Sequence, residues 1–430
     1  MLDIKLLREE EGIRQIEEEL DKRNLGELKM NLPKLIKLDE KIRKLIQQSE
    51  ELRQERNKSS DLIAQATDEE RPKLIKQGKK IGQQIKKIEE KLKNYKADLE
   101  QQFSHYPNFT DPRVPLGGED QNITLKEDGT KKEFGFEPLG HAELFEKMGW
   151  LDKEQAANLS GARFSYLIGD LVKLEFTFFH WLMDWLIENE DFTPVLPPLI
   201  VKEQAMFGAG NFPTGREDVF QVENPTGNEN LYLSGTAEIQ LASLRANQII
   251  NNLDKPLRYC AFSTNFRREA GAAGKDTQGI TRQHQFNKLE MFIYAKPEDS
   301  EDELQKLVTR EDKIIEALGL PYRTLLLASQ DNPGKFSITY DHEIWLPGEK
   351  AWREVQSASN ALDYQARRLN IRYRTGEKQT DYVHTLNGTA AAERFLIAII
   401  ENYQQEDGTV MLPEVLHSYY HGEPVLKPVN

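Results

Sequence analysis

Between residues 31 and 103, apolar side chains recur on alternating steps of three and four. One series is Leu35, Leu38, Ile42, Leu45, Leu52, Ser59 and Ile63, with Ser49 and Arg56 filling its gaps. A second is Leu74, Gly78, Ile81, Ile85, Ile88, Leu92, Tyr95 and Leu99. This period is a heptad seam, so two helices that pack on each other are predicted. The pattern breaks over 64–70, and Pro72 suits the first turn of the second helix. A short turn makes the pair antiparallel, an arm on the order of 45 Å long. Residues 1–30 read as a short capping segment.

The pattern changes after the arm. Residues 104–125 are rich in Pro, Gly and Asp and read as a linker. Helices are predicted at 142–148, 171–188, 236–251, 301–317, 362–371 and 392–405. Strands are predicted at 195–201, 230–233, 257–266, 285–294, 322–327 and 342–346. Regular βαβ spacing is absent, so an α+β domain with an antiparallel sheet flanked by helices is expected after the arm. The apolar stretch 171–187 carries Lys173, Glu175 and Asp184, which lipid would penalise. It reads as a buried helix, and no membrane partner is expected.

Charge separates the arm from the rest. Residues 31–103 hold 18 Lys and Arg against 13 Asp and Glu, a net +5, in a chain whose net charge is −14. The remainder is therefore −19. A basic rod on an acidic body is either a solvated or dimerising coiled coil, or an arm that follows a nucleic-acid backbone. The overall acidity argues against a general nucleic-acid coat. One cysteine, Cys260, excludes an internal disulfide and fits a reducing, cytoplasmic setting. With few histidines as well, no zinc site is expected.

The stretch 262–291 carries the strongest chemical signal. A strand leads to Arg267, Arg268 and Glu269, a loop holds Gly271, Gly274 and Gly279, and the chain returns through Arg282, Gln283, His284 and Phe286 to Glu290. Arginine forks suit phosphate oxygens, and an aromatic ring can stack on a base. No glycine-rich phosphate loop joins a strand to a helix, so side chains must hold any nucleotide. The loop is expected to be mobile without ligand. His284 reads as a satisfied core histidine.

Four further clusters follow the same order as in a known family: Pro194–Pro198, Thr236-Ala237-Glu238, the run 353–360 (REVQSASN), and Thr385-Leu386-Asn387-Gly388-Thr389 before Arg394. With FRREAGAAGKD…RQHQFNKLE, SASNALDYQARR and HTLNGT, the chain resembles the bacterial-type seryl-tRNA synthetases, which are class II aminoacyl-tRNA synthetases. The resemblance spans nearly the whole length. It implies an N-terminal tRNA-binding domain over 1–110, a class II catalytic domain over 111–430, and a homodimer. It also implies ATP-dependent activation of serine with Mg²⁺, then transfer of the seryl group to tRNA.

By that resemblance, Arg267 bridges the serine carboxylate and the α-phosphate, Arg282 holds the outer phosphates, and Arg394 closes over the nucleotide. Phe286 stacks on adenine, and Glu269 accepts from its amino group. Thr236, Ala237, Glu238, Arg267, Glu290, Asn387 and Thr389 would bind serine. Arg267, Arg268, Glu269, Arg282, Gln283, Phe286, Glu354, Val355, Gln356, Ser357 and Arg394 would bind ATP. Glu354 and Ser357 would hold the metal. Three residues apart, those two face opposite sides of an ideal strand. Glu354 is therefore expected to end a strand and Ser357 to lie in a turn, with Ser359-Asn360 capping the next helix.

Two departures from the family stand out. The spacing from Thr389 to Arg394 is one residue short, which would rotate Arg394 by roughly 100° on a helix. Ser234-Gly235 replaces a bulkier pair before Thr236, which would loosen the pocket wall. Other readings are a ligase that loads a carrier protein, a non-catalytic regulator on the same scaffold, and threonine or alanine as substrate. Carrier-loading relatives lack the long arm. A regulator would have lost Arg267, Glu269, Glu354 or Arg394.

Overall fold

The computed structural model describes residues 1–270 and 279–429. The glycine-rich loop, whose mobility is expected above, lies mostly outside the described residues. The chain forms two compact units, Leu2–Pro107 and Asn108 onward.

In the first unit, helix α1 (Gly26–Gln65) and helix α2 (Arg71–Phe103) form the arm. With 40 residues, α1 is about 60 Å long. It exceeds the expected length because it starts earlier and carries Pro33 in its opening turns. Every position of both seams except Arg56 is buried or half-buried. Gly78 faces Ser59, where an added Cβ would lie 3.6 Å from the hydroxyl oxygen. Small residues thus let the helices approach near the turn that joins them.

The second unit is built on an eight-stranded sheet. Its strands are β1 (Ile123–Asp128), β2 (Thr193–Pro194), β3 (Leu257–Phe266), β4 (Gln285–Ala295), β5 (Tyr322–Leu326), β6 (Ile338–Leu346), β7 (Ala351–Leu362) and β8 (His384–Ala392). Their order across the sheet is β1-β5-β6-β7-β8-β4-β3-β2. All pairs are antiparallel except β2 with β3.

Alternation along β4 divides the core in two. Leu289, Met291 and Ile293 join Leu174, Phe178 and Leu182 of helix α3 (Asp170–Glu190) on one face. Phe292 and Tyr294 join Met206, Phe212, Ile239 and Leu241 on the other. Helix α4 (Glu238–Ser243) lies on that second side. Helices α5 (Ser300–Ala317) and α6 (Arg394–Tyr403) supply Leu304, Leu307, Ile314, Phe395 and Ile399 to the first.

Several expectations need correction. The helix expected over 236–251 is confined to α4, because Asn247 adopts a left-handed φ of 59°. Of the strand expected over 195–201 only the end forms, as Ile200–Lys202, while β2 lies just before it. The linker is packed: Asn108 is buried and donates to Ala361 O at 2.8 Å, and β1 begins inside the segment. The helices expected over 362–371 and 392–405 are shorter, because β7 and β8 occupy the residues before them.

One buried ion pair pins β3 to α5. Arg258 donates from Nε and Nη2 to Glu303 at 2.8 and 2.7 Å, and Glu303 is 2 % exposed. Burial pushes the Glu303 carboxyl up, but Arg258 and Lys306 outweigh it and hold it below its usual value. The stabilisation is therefore present above the unfolded carboxylate range and is lost as pH falls through the lowered folded value. Arg258→Met should cost about 1–3 kcal/mol by removing the bidentate partner of buried Glu303, which keeps Lys306 at 3.0 Å and the more distant Arg310. Urea unfolding at neutral pH measures this loss.

Candidate active site

The β3–β4 hairpin brings the two ends of the arginine-rich stretch together. Phe266 pairs with Gln285, and Arg267 N donates to His284 O at 3.0 Å. Arg267 leaves β3, donates from Nε to Gly235 O at 3.1 Å, and lies over the Phe286 ring at 5.1 Å. Gly235 has no side chain to obstruct it; a Cβ there would sit 3.4 Å from Arg267 Cγ. The Ser234 hydroxyl lies 2.7 Å from Thr236 O and 3.0 Å from Gln240 Oε1. The Ser234-Gly235 pair therefore orders this wall instead of loosening it.

Most of the remaining nucleotide-site candidates line the same cleft, with Arg268, Gln356 and Ser357 outside its lining. Its wall includes Arg267, Glu269, Arg282, Gln283, Phe286, Glu354, Val355, Thr389 and Arg394. Each of two arginines is held by a carboxylate. Arg282 Nη1 is 3.2 Å from Glu269 Oε2, and Arg394 Nη1 is 3.2 Å from Glu354 Oε2. Arg394 also donates to Glu354 O at 2.8 Å. The short spacing does not turn it away from the site. Such half-exposed pairs are weak enough to exchange for a phosphate or a cation.

Glu354 and Ser357 correct the strand-end expectation. Both lie within β7, which runs on through Ser359 and Asn360. His342 pairs with Gln356 but Glu343 pairs with Glu354, so Val355 is an extra, bulged residue. The bulge restores a common face to residues three apart. Ser359 and Asn360 consequently cap nothing. Gln356 points the other way: it is buried, and its Nε2 donates to Ala390 O at 2.8 Å.

Asp341 pairs in register with Ser357 and was missed by the sequence reading, which started this strand at His342. Burial pushes its carboxyl well up, and the charge of Glu354 adds to the rise, while Ser357 bonds to it. Asp341 Oδ1 is a buried oxygen without a hydrogen-bond partner. Glu354, Ser357 and this oxygen form a hard oxygen donor set that fits Mg²⁺.

A second cluster surrounds Glu290, which is fully buried on β4. Thr236 Oγ1 donates to it at 3.0 Å and Asn387 Nδ2 at 3.2 Å, with Lys288 in close contact. Thr236 Oγ1 also accepts from Glu238 N at 3.2 Å. Asn387 and Thr389 alternate on β8, with Thr389 paired to Glu290. Ala237 is buried beside them.

Some candidates fall elsewhere. The Glu238 carboxylate is held by Lys335 Nζ at 2.7 Å and Gln365 Nε2 at 2.6 Å. Arg268 is exposed and does not line the cleft, although its N–H donates to Asp218 O at 2.8 Å. His284 is half-exposed instead of in the core: its Nδ1 donates to Arg267 O at 2.8 Å, at the hairpin neck. Among the described residues, His141, Glu349 and Glu401 also cluster. There Glu401 is occupied by His141 N at 2.8 Å, Gly348 N at 2.9 Å and the His141 ring at 2.9 Å. This is a structural clamp.

The sheet and the arginine-lined cleft define a class II aminoacyl-tRNA synthetase core. A family model for the tRNA synthetase class II core domain (G, H, P, S and T) matches residues 220–403, and one for the seryl-tRNA synthetase N-terminal domain matches 1–110. A serine–tRNA ligase of Pseudothermotoga lettingae is 40 % identical, over 97 % of this chain and 98 % of that one. Seryl-tRNA synthetase from Pyrococcus horikoshii, complexed with ATP, superposes with a TM-score of 0.91 at 36 % identity over 100 % of both chains. The cytoplasmic serine–tRNA ligase from Naegleria fowleri, in complex with AMP, gives 0.86 at 30 % identity, over 100 % of this chain and 99 % of that one. The chain belongs to the seryl-tRNA synthetase family.

The Thr236 hydroxyl both donates to buried Glu290 and accepts from Glu238 N. Thr236→Val should remove the acceptor of Glu238 N and one of the donors to Glu290, which keeps Asn387 and Lys288, and cost about 1–3 kcal/mol. The shift in the urea midpoint reads this directly.

Proposed function

We propose that the cleft between the β3–β4 hairpin, β7 and α6 joins serine to ATP, with each residue acting as its position allows. As a member of its family the chain is a serine–tRNA ligase. It activates L-serine with ATP to seryl-adenylate and then transfers serine to the 3′ end of its tRNA. The observation that carries the residue roles is the convergence of Arg267, Arg282, Arg394 and Phe286 on one cleft.

Phosphoryl chemistry of this kind needs positioning and charge neutralisation more than covalent help. Serine's carboxylate attacks the α-phosphorus and pyrophosphate leaves. Arg267, already beside Phe286, bridges the carboxylate and the α-phosphate. Arg282 and Arg394 exchange their carboxylate partners for the outer phosphates. Phe286 carries adenine on the face that Arg267 leaves open, and Glu269 accepts from the adenine amino group. Glu354 and Ser357 would hold Mg²⁺, which supplies charge neutralisation at the phosphates. Glu290, Thr236 and Asn387 bind the serine ammonium and hydroxyl. Burial of these groups lets them reject alanine, which would leave them unpaired.

The arm holds the tRNA. Its exposed lysines, among them Lys41, Lys44, Lys76, Lys80 and Lys87, suit a phosphate backbone read without base contacts. Two copies pair through α3 and the segment after it, where Phe176 is 69 % and Leu196 is 88 % exposed. No helix among the described residues is long and apolar enough to cross a membrane. A single, buried cysteine fits work in the cytoplasm.

ATP–pyrophosphate exchange should depend on serine and not on threonine, alanine or glycine. Arg267→Ala should lower it by about 10²–10³-fold. Deleting the arm should leave exchange intact while tRNA charging collapses; an equal loss of both would make the arm structural. Phe176→Asp with Leu196→Asp should halve the mass seen by sedimentation if those side chains form the dimer contact.

A further inference from the structure

We propose that Glu393 is a positioning residue that sets the nucleotide-binding arginines in register with the adenine platform. The inference rests on the nucleotide roles given above. Glu393 is only 6 % exposed, unusual for a carboxylate. It sits at the N-terminal boundary of α6 but makes no capping bond to that helix. Its oxygens cross to β4 instead. Oε2 accepts from Gln283 Nε2 at 2.9 Å, and Oε1 accepts from Asn287 N at 2.9 Å.

The neighbours of those three residues give the geometry its meaning. Gln283 follows Arg282, Asn287 follows Phe286, and Glu393 precedes Arg394. One buried carboxylate therefore fixes the backbone beside two arginines and the aromatic ring of the same cleft. Asn287 extends the tie, donating from Nδ2 to Glu175 of α3 at 2.9 Å. Burial, reinforced by the charge of Glu175, pushes the Glu393 carboxyl up to about 8. Such a desolvated group depends on its two donors, and removing it leaves both unpaired.

The short spacing between Thr389 and Arg394 acquires a physical counterpart here. β8 carries its own extra residue, Ala390, since Leu289 pairs with Ala391 but Glu290 pairs with Thr389. The strand thus runs to Ala392, and α6 starts two residues later at Arg394. Glu393 is the residue at this corner, and its bonds to β4 hold the corner against the hairpin. Arg394 reaches the cleft from there.

The test uses the full chain in serine-dependent ATP–pyrophosphate exchange, with thermal unfolding as a control. The wild-type protein must first show exchange; its absence would fail the functional reading and not this one. Glu393→Ala should raise the KM for ATP about tenfold or more and leave the KM for serine within about twofold, because small misplacements of binding groups are costly. Glu393→Gln keeps one carbonyl acceptor and should recover most of the loss. Should the alanine variant not fold, Glu393→Asp, which keeps the charge but shortens the reach to both donors, should raise the ATP KM about threefold. An ATP KM within twofold of wild type in folded Glu393→Ala, or in Glu393→Asp where alanine does not fold, overturns the proposal. So does an equal rise for serine and ATP, which would make Glu393 a general stabiliser.

Discussion

A β-strand shows successive side chains to opposite faces, and the cleft requires residues three apart to share one. Two bulges resolve the conflict. Val355 on β7 puts Glu354 and Ser357 on one side. Ala390 on β8 does the same for Thr389 and Ala392, both of which line the cleft. The bulges are tied together, since the Gln356 amide donates to Ala390 O. A side chain that resemblance alone assigns to the nucleotide thus serves the backbone that aims its neighbours. Registers on either side of each bulge are fixed by the core, because a slip would exchange buried and exposed faces.

The same backbone places opposite charges before any ligand arrives. Arg282 rests on Glu269 and Arg394 on Glu354, so the cationic forks are oriented without being buried. Each pair is partly exposed and holds its arginine only loosely. Glu303 with Arg258 is the contrast, buried and bidentate, with Lys306 as a further partner of the carboxylate. The molecule therefore uses one kind of pair to fix the sheet to α5 and another, more exposed kind to orient the cleft arginines. Glu269 adopts a left-handed φ of 50°, a conformation that costs a non-glycine residue about 1 kcal/mol or more. That turn lets its carboxylate face Arg282.

Much of this was legible in the residues. The 3.5-residue seam gave both arm helices, because a two-helix interface is a local, periodic property. The hairpin and its arginines were legible for a similar reason, as two strands flanking a glycine loop. The strands β7 and β8 were not. Their alternation is broken by the bulges and masked by polar residues such as Glu354, Ser357, Asn387 and Thr389, so a strand is expected only as far as Glu354 and none over β8. The segment 236–251 erred the other way. Its Ala, Leu and Ile favour a helix, but contacts of Thr236 and a left-handed Asn247 limit it to six residues. Asp341 carried no signal beyond its place in an alternating strand, and Glu393 none beyond the altered spacing.

The triplet Asn387-Gly388-Thr389 shows how one constraint selects three letters. Asn387 and Thr389 face the Glu290 side of the sheet, so Gly388 must face the opposite side, toward α5. A Cβ at Gly388 would lie 2.8 Å from Glu311 Oε1 and 3.1 Å from Leu307. The glycine is demanded by the helix behind the strand and not by the substrate in front. Glu311 is buried there beside His342, whose Nδ1 is 3.0 Å from its Oε2. Burial lowers the affinity of His342 for a proton, but Asp312 and Glu311 outweigh it and lift the imidazole to about 9. Burial in turn pushes the Glu311 carboxyl up to about 7, so the acid and the imidazole share the charge pressed against β8. The back of the strand is thus packed directly against the buried Glu311–His342 pair. Enlarging Gly388 would thus disturb both faces at once.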